Sequence, residues 1–178
     1  MDQNYLNNYF GKVWRNTQYN NLNLPEFSGM ALLNKIKSSE TVIDIGCGTN
    51  EFKKHLPNVI GIDPAFPEAD YQLTLEQYCK KFTMTYDIAL CLGSINFGDK
   101  DYIEQQVGLV TSLVGPEGRI FWRCNPGLKD HGTEECKYIE FYPWSFEEHI
   151  RLADLFGFKI LELRWDTGNR IYSEWRRK

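Results

Sequence analysis

Residues 41–50 read TVIDIGCGTN, and residues 59–63 read VIGID. The first run is apolar, short and stopped by glycine, the pattern of a strand buried on both faces of a parallel sheet. Gly46 and Gly48 let the chain turn sharply out of that strand and let a ligand approach the backbone. Asn50 to Leu56 then predicts a short helix. The second run predicts a second buried strand, stopped at Pro64. It ends in Asp63, nineteen residues after Asp44. A carboxylate about 20 residues beyond a glycine turn, at the end of the next strand, suits the two hydroxyls of a ribose.

The same alternation continues outward. Phe27, Met30, Leu33 and Ile36 recur at helical spacing behind Pro25, ahead of the first strand. A third strand, short, is expected at 71–73, a helix at Leu75–Phe82, and a strand at Tyr86–Leu92, ended by Gly93. Apolar residues at 103, 107, 110 and 114 predict a helix over Tyr102–Val114. Gly115 to Gly118 reads as a turn and Arg119–Arg123 as a fifth strand. Ser145 and Glu148 make a capping box for a helix running to Gly157. Phe158–Trp165 and Arg170–Trp175 form a closing hairpin around Thr167, Gly168 and Asn169. The expected fold is α/β: a single Rossmann-like, doubly wound domain over residues 25–178. Its sheet is mostly parallel and seven-stranded, with helices on both faces and a C-terminal antiparallel hairpin. Residues 1–24, rich in Asn and aromatics, read as a cap segment.

Composition narrows the partners. The chain has 178 residues and a formal net charge of −4, and its only basic cluster is Arg176, Arg177 and Lys178 at the end. That cluster reads as a solvated tail, so there is no strong nucleic-acid signal. The five cysteines are odd in number and lack metal-ligand spacing, which points to free thiols, no metal and a cytoplasmic setting. No apolar stretch approaches ~20 residues, so no membrane span is expected. Oligomeric state is not legible.

Two ligand classes use a glycine turn with a following carboxylate: nicotinamide dinucleotides and S-adenosylmethionine. A dinucleotide site wants a third glycine where this chain has Glu51, and a carboxylate there repels a pyrophosphate. S-adenosylmethionine has no phosphate and carries an ammonium and a sulfonium, which acids such as Asp44 welcome. Here VIDIGCGTNEF resembles the first motif of the class I S-adenosylmethionine-dependent methyltransferases. GIDPA is similar to their second motif, YDIALCLGSINF to their strand-four segment and LVGPEGRIFW to the segment leading into strand five. The resemblance spans roughly residues 26–175. It implies a cofactor site of Asp44, Gly46, Cys47, Gly48, Asn50, Asp63, Pro64, Gly93 and Ser94. In it, Asp63 holds the ribose and Gly93 to Ile95 border the methionine part. Asn50 replaces the motif's third glycine, and Asn tolerates positive φ. The acid that many members place near the adenine is not evident, with Glu76 the nearest candidate.

The acceptor side is expected in the long connection Asn125–Trp144 together with the N-terminal segment, both rich in aromatics. Trp14, Phe97, Tyr138 and Tyr142 are the candidate substrate contacts. His131 and Asn96 are the candidate catalytic residues, His131 because an imidazole titrates near neutrality. The Asn/Asp-Pro-Pro-aromatic and Pro-Cys motifs of nucleic-acid-modifying relatives are absent after the 86–92 strand. The acceptor is therefore expected to be a small molecule. A catalytically silent cofactor-binding module, a nicotinamide-dependent oxidoreductase and an aminopropyltransferase stand as alternatives.

Overall fold

The computed structural model describes residues 2–15, 29–166 and 168–178. Six strands form one sheet in the order β2-β1-β3-β4-β6-β5. They are β1 (Val42–Ile45), β2 (Val59–Ile62), β3 (Tyr86–Cys91), β4 (Val114–Cys124), β5 (Phe158–Trp165) and β6 (Ile171–Arg177). The first four are parallel, and β6 runs antiparallel to both neighbours. The chain steps outward from β1 to β2 and returns on the other side of β1 as β3. That reversal opens a crevice beyond the carboxyl ends of β1 and β3, where ligands of such sheets bind.

Strand alternation sorts the core into two layers. Ile43, Ala89, Cys91, Ile120, Trp122 and Trp175 face one side, under α2 (Leu75–Lys81), α3 (Lys100–Ser112) and α4 (Phe146–Leu155). Val42, Ile88, Leu90, Phe121 and Tyr172 face the other. The second layer is covered by 3-10 turns at Gly29–Lys35 and Glu51–Lys54. A full helix over 25–37 is therefore not what forms among the described residues. The inward positions are Leu32 and Ile36, with Leu33 half-buried. Phe27 lies outside the described residues.

Three further expectations change. The sheet has six strands, not seven, because residues 71–73 make one bridge only, Ile62 to Tyr71. Leu73 N turns back onto Tyr71 O (2.9 Å), and Thr74 at once caps α2 through a capping box with Gln77, which leaves no length for a strand. The Gly115–Gly118 turn is absorbed into β4 as a bulge: Tyr86 pairs with Val114 but Ile88 pairs with Arg119. The basic C-terminus is docked. Arg177 donates to the carbonyls of Thr111 and Val114 at the end of α3, where a cation suits the helix dipole. At the sheet's edge β5 carries a second bulge at Leu161, between Ile160 and Glu162. No helix among the described residues is long and apolar enough to cross a membrane.

The N-terminal segment forms α1 (Gln3–Asn8), which continues as a π-helical turn, Tyr9–Trp14. It packs on the 131–141 stretch through Leu6, Tyr9, Cys136, Ile139 and Phe141, a small core of its own.

Candidate active site

The loop after β1 is wound by three left-handed residues, Gly46 (φ 72°), Gly48 (φ 56°) and Asn50 (φ 57°). Gly46 and Cys47 both donate to Ile62 O, at 2.8 and 3.1 Å, which ties the loop to the end of β2. A Cβ on Gly46 would lie 2.4 Å from Ser94 Cβ, so only glycine lets the β1 and β3 loops touch. Asp63 completes the frame. Its carboxylate accepts Gly48 N (3.1 Å) and Ala65 N (2.8 Å), binding the loops after β1 and β2 to one side chain. Pro64 lies half-buried between them.

Asn50 turns under the loop. Its amide donates to Glu68 O and Asp70 Oδ2, and its carbonyl lies against Gly61, where a Cβ would sit 2.4 Å away. Gly61 is thus a residue the sequence reading overlooked. The signal was a glycine inside the strand run VIGID, the mark of a close backbone or side-chain approach.

Charge in this loop is unusual. Burial pushes Asp44 up to about 7, and the nearby Asp63 carboxylate adds to the rise. Asp63 is raised as well, by burial, while its Ala65 and Gly48 N–H donors oppose the shift. Burial and the carboxylates of Asp44, Asp63 and Asp70 hold the Cys47 thiol protonated. Two close, enclosed acids favour a cation. Glu51 is held low, chiefly by Lys54, and so carries a full charge where a pyrophosphate would rest.

Across the crevice, Gly93 (φ 112°) faces open space: a Cβ there would meet no atom within 4 Å. Ser94 Oγ is buried and lacks a hydrogen-bond partner among the described residues. An open face, a partnerless hydroxyl and paired carboxylates fit a polar, cationic adenosine ligand. Glu76 does not line this crevice through its carboxylate, which takes hydrogen bonds from Tyr102 and Gln106 of α3.

Asn96 braces the floor. Its Nδ2 donates to Gly93 O (2.9 Å), and its Oδ1 accepts Asn125 N (2.9 Å). Phe97 follows and pairs with Phe141. Around them gathers a ring cluster. Phe10 and Phe97 lie 5.2 Å apart, Phe97 and Phe141 5.4 Å, His131 and Phe141 5.1 Å, and Trp14 and His131 6.3 Å. Tyr9 Oη is 3.1 Å from His131 Nδ1. The opposite flank of the N-terminal turn touches the loop after β2, with Gly11 against Ala65, and Arg15 paired to Glu68 and set over the Phe66 ring.

The cluster thus contains Trp14, Phe97 and His131. It does not include Tyr138 or Tyr142. Tyr138 is 78% exposed, whereas Tyr142 is buried in the main core, with its hydroxyl on Glu148 (2.8 Å) and its ring edge-on to Trp144. Tyr138→Ala should leave stability within ~0.5 kcal/mol, as for most surface changes. Tyr142→Phe should cost about 1 kcal/mol through the lost hydrogen bond. Denaturant titration of both variants checks this pair, and equal stabilities would contradict the packing.

No protein-family model matches the chain, and no curated protein matches it by sequence. Solved structures do. One is the Burkholderia thailandensis 1,6-didemethyltoxoflavin-N1-methyltransferase, holding 1,6-didemethyltoxoflavin and S-adenosylhomocysteine. It is 12% identical at a TM-score of 0.72, over 98% of this chain and 88% of that one. The Synechocystis PCC 6803 magnesium protoporphyrin IX methyltransferase, with S-adenosylhomocysteine bound, is 14% identical at 0.69, over 99% and 100% of the two chains. A possible histamine N-methyltransferase from Thermotoga maritima is 16% identical at 0.60, over 98% and 95%. At such identities the likeness establishes the fold, which is that of the class I S-adenosylmethionine-dependent methyltransferases.

Proposed function

We propose that the chain is an S-adenosylmethionine-dependent methyltransferase acting on a small-molecule acceptor. The observation that carries this reading is the Asp63 carboxylate joined to Gly48 N and Ala65 N, with buried Asp44 behind the same glycine loop. In this reading Asp63 takes the ribose hydroxyls, and Pro64 flanks the adenine. Gly46, Cys47 and Gly48 pass beneath the methionine part, and Asn50 holds the loop from below. Gly93 and Ser94 border the sulfonium. When bound, S-adenosylmethionine supplies a methyl group on a cationic sulfur, which leaves as a neutral thioether on in-line attack.

The chain's share of the chemistry is positioning and exclusion of water. Asn96 sets the floor between the two half-sites. Trp14, Phe97 and His131 face the acceptor, and the N-terminal segment covers it. A cytoplasmic setting belongs to the same reading, on the five unpaired thiols.

Titration calorimetry tests the assignment. S-adenosylmethionine and S-adenosylhomocysteine should bind with dissociation constants on the order of micromolar, and NAD far more weakly because Glu51 is charged. Tighter binding of NAD would overturn the reading. Single-turnover transfer of a labelled methyl group separates an enzyme from a silent module.

Asp44 adds a proton-linkage signature. Its pKa of about 7 means that much of it is protonated at neutral pH. An ammonium beside it favours the carboxylate, so binding should expel a proton. Affinity for S-adenosylmethionine should rise with pH up to about 8, by at most ~10-fold per unit. Calorimetry at pH 6.5 in phosphate and in Tris reports the proton count. Identical heats in both buffers would remove Asp44 from the ammonium site.

A further inference from the structure

We propose that His131 presents an N–H donor to the methyl acceptor, so that the site selects a planar ring carrying a lone-pair atom, a carbonyl oxygen or a pyridine-type nitrogen. This rests on the methyltransferase reading and adds the chemistry of the acceptor to it. The reason lies in the order of hydrogen bonds behind the imidazole. Cys136 N donates to Thr133 Oγ (3.3 Å), the Thr133 hydroxyl donates to Tyr9 Oη (3.2 Å), and Tyr9 Oη lies 3.1 Å from His131 Nδ1. Each hydroxyl accepts a hydrogen bond from the group before it and has its own hydrogen to donate to the group after it.

For the Tyr9 proton two acceptors compete, His131 Nδ1 and the Cys136 sulfur. An imidazole lone pair is a far stronger acceptor than a thiol. The lone pair of Nδ1 is then occupied, and the hydrogen of a neutral ring sits on Nε2. The ring is neutral because its surroundings oppose charge. Burial and Arg170 hold it below the usual imidazole range, and Asp130 only partly offsets them. Asp130 is itself engaged bidentately by Arg170, at 2.6 and 3.0 Å. Tyr9, pushed up to about 12 by burial, keeps its proton and stays uncharged.

The walls define the rest of the ligand. Phe10, Trp14, Phe97 and His131 are each half-buried, so the described residues leave part of each ring uncovered. Flat rings stack on uncovered aromatic surface, with in-plane polar atoms at their edge. A ring stacked there can meet Nε2–H with an in-plane lone pair. Methyl transfer then depends on positioning, and any proton displaced from the attacking atom passes to bulk water.

Nitrogen-15 NMR of the protein saturated with S-adenosylhomocysteine at pH 8 tests the tautomer. The chain has three histidines; His55 is exposed and His149 fully buried, and His131→Phe identifies the remaining signals. We expect a bare Nδ1 and a protonated Nε2, with the Nδ1 resonance moving in Tyr9→Phe. A protonated Nδ1 would overturn the proposal. Quinoline and naphthalene, alike in shape, probe the ligand class. Quinoline should bind about fivefold more tightly, the worth of one neutral hydrogen bond, and the preference should vanish in His131→Phe. Equal binding, or none by either probe, would also overturn it. Failure of S-adenosylhomocysteine to bind would sink the methyltransferase reading instead, and the tautomer would still be readable in the protein alone.

Discussion

Asp63→Ala is expected to weaken S-adenosylmethionine binding by at least about 100-fold. A hydrogen bond to a charged group contributes roughly 1.5–3 kcal/mol, and in the proposed site the variant loses the two to the ribose, a combined ~3 kcal/mol or more. A second loss compounds the first. Gly48 N and Ala65 N both give their hydrogen bonds to this carboxylate, at 3.1 and 2.8 Å. Without it the two loops lose their common anchor, and the glycine loop no longer holds its bound shape. Because the defect is local, circular dichroism should show a folded protein with a lowered melting temperature. Asp63→Asn keeps one acceptor oxygen and should fall between Ala and wild type in both measurements. A folded Asp63→Ala protein with an unchanged dissociation constant would place the ribose elsewhere.

His149 should make the protein acid-sensitive. Its side chain is fully buried between Trp144 (4.7 Å) and Trp175 (5.8 Å), and neither ring nitrogen has a hydrogen-bond partner among the described residues. Burial pushes its pKa down to about 3, with the Glu148 charge opposing weakly. The unfolded chain, with an ordinary imidazole near 6.5, therefore binds a proton that the folded chain refuses. The stability this residue confers is complete above about pH 6.5 and is lost as pH falls toward 3, at about 1.4 kcal/mol per unit. Asp44 acts in the opposite sense, because its raised pKa means that the folded state takes up a proton below pH 7. A comparison of wild type with His149→Phe cancels that contribution. Between pH 8 and pH 5 the wild type should lose about 2 kcal/mol more than the variant, or roughly 4–8 °C in melting temperature. Parallel melting curves across that range would mean that His149 is solvated or bonded in the folded state.

The parallel half of the sheet was legible because strands buried on both faces read as apolar runs bounded by glycine. The runs at 42–45, 59–62 and 86–91 show this plainly. The Ser145 cap was legible from local chemistry, since its side chain accepts Glu148 N. Glu148 does not return the bond as a capping box would. Its carboxylate goes to Arg151, one turn on in the same helix, and to Tyr142 of the preceding connection, whose place the tertiary fold sets. The same limit explains the aromatic stretch. Tyr138 and Tyr142 look alike in sequence, but the bridges Phe97–Phe141 and Pro126–Pro143 decide which of them turns inward. Asn50 was legible as a left-handed residue, yet its direction depends on the space above Gly61, two secondary elements away. The seventh strand was over-read because 71–73 has strand-forming residues, while the Thr74 cap cuts it short.

The bulge at Leu161 has a bearing on how the protein survives at high concentration. β5 closes the sheet and, among the described residues, offers a row of backbone donors and acceptors with no strand beyond it, with Leu161 and Trp165 about half exposed beside them. A straight apolar edge of that kind templates fibrils. The extra residue breaks the spacing of the row and bends the strand, so an incoming extended chain finds only a few bonds in step. Lys159, exposed on this strand, adds a charge that a stacked copy would bring against its own kind. A deletion that removes Leu161 would straighten the edge and, by the same reasoning, turn a guarded border into a seed for polymerisation.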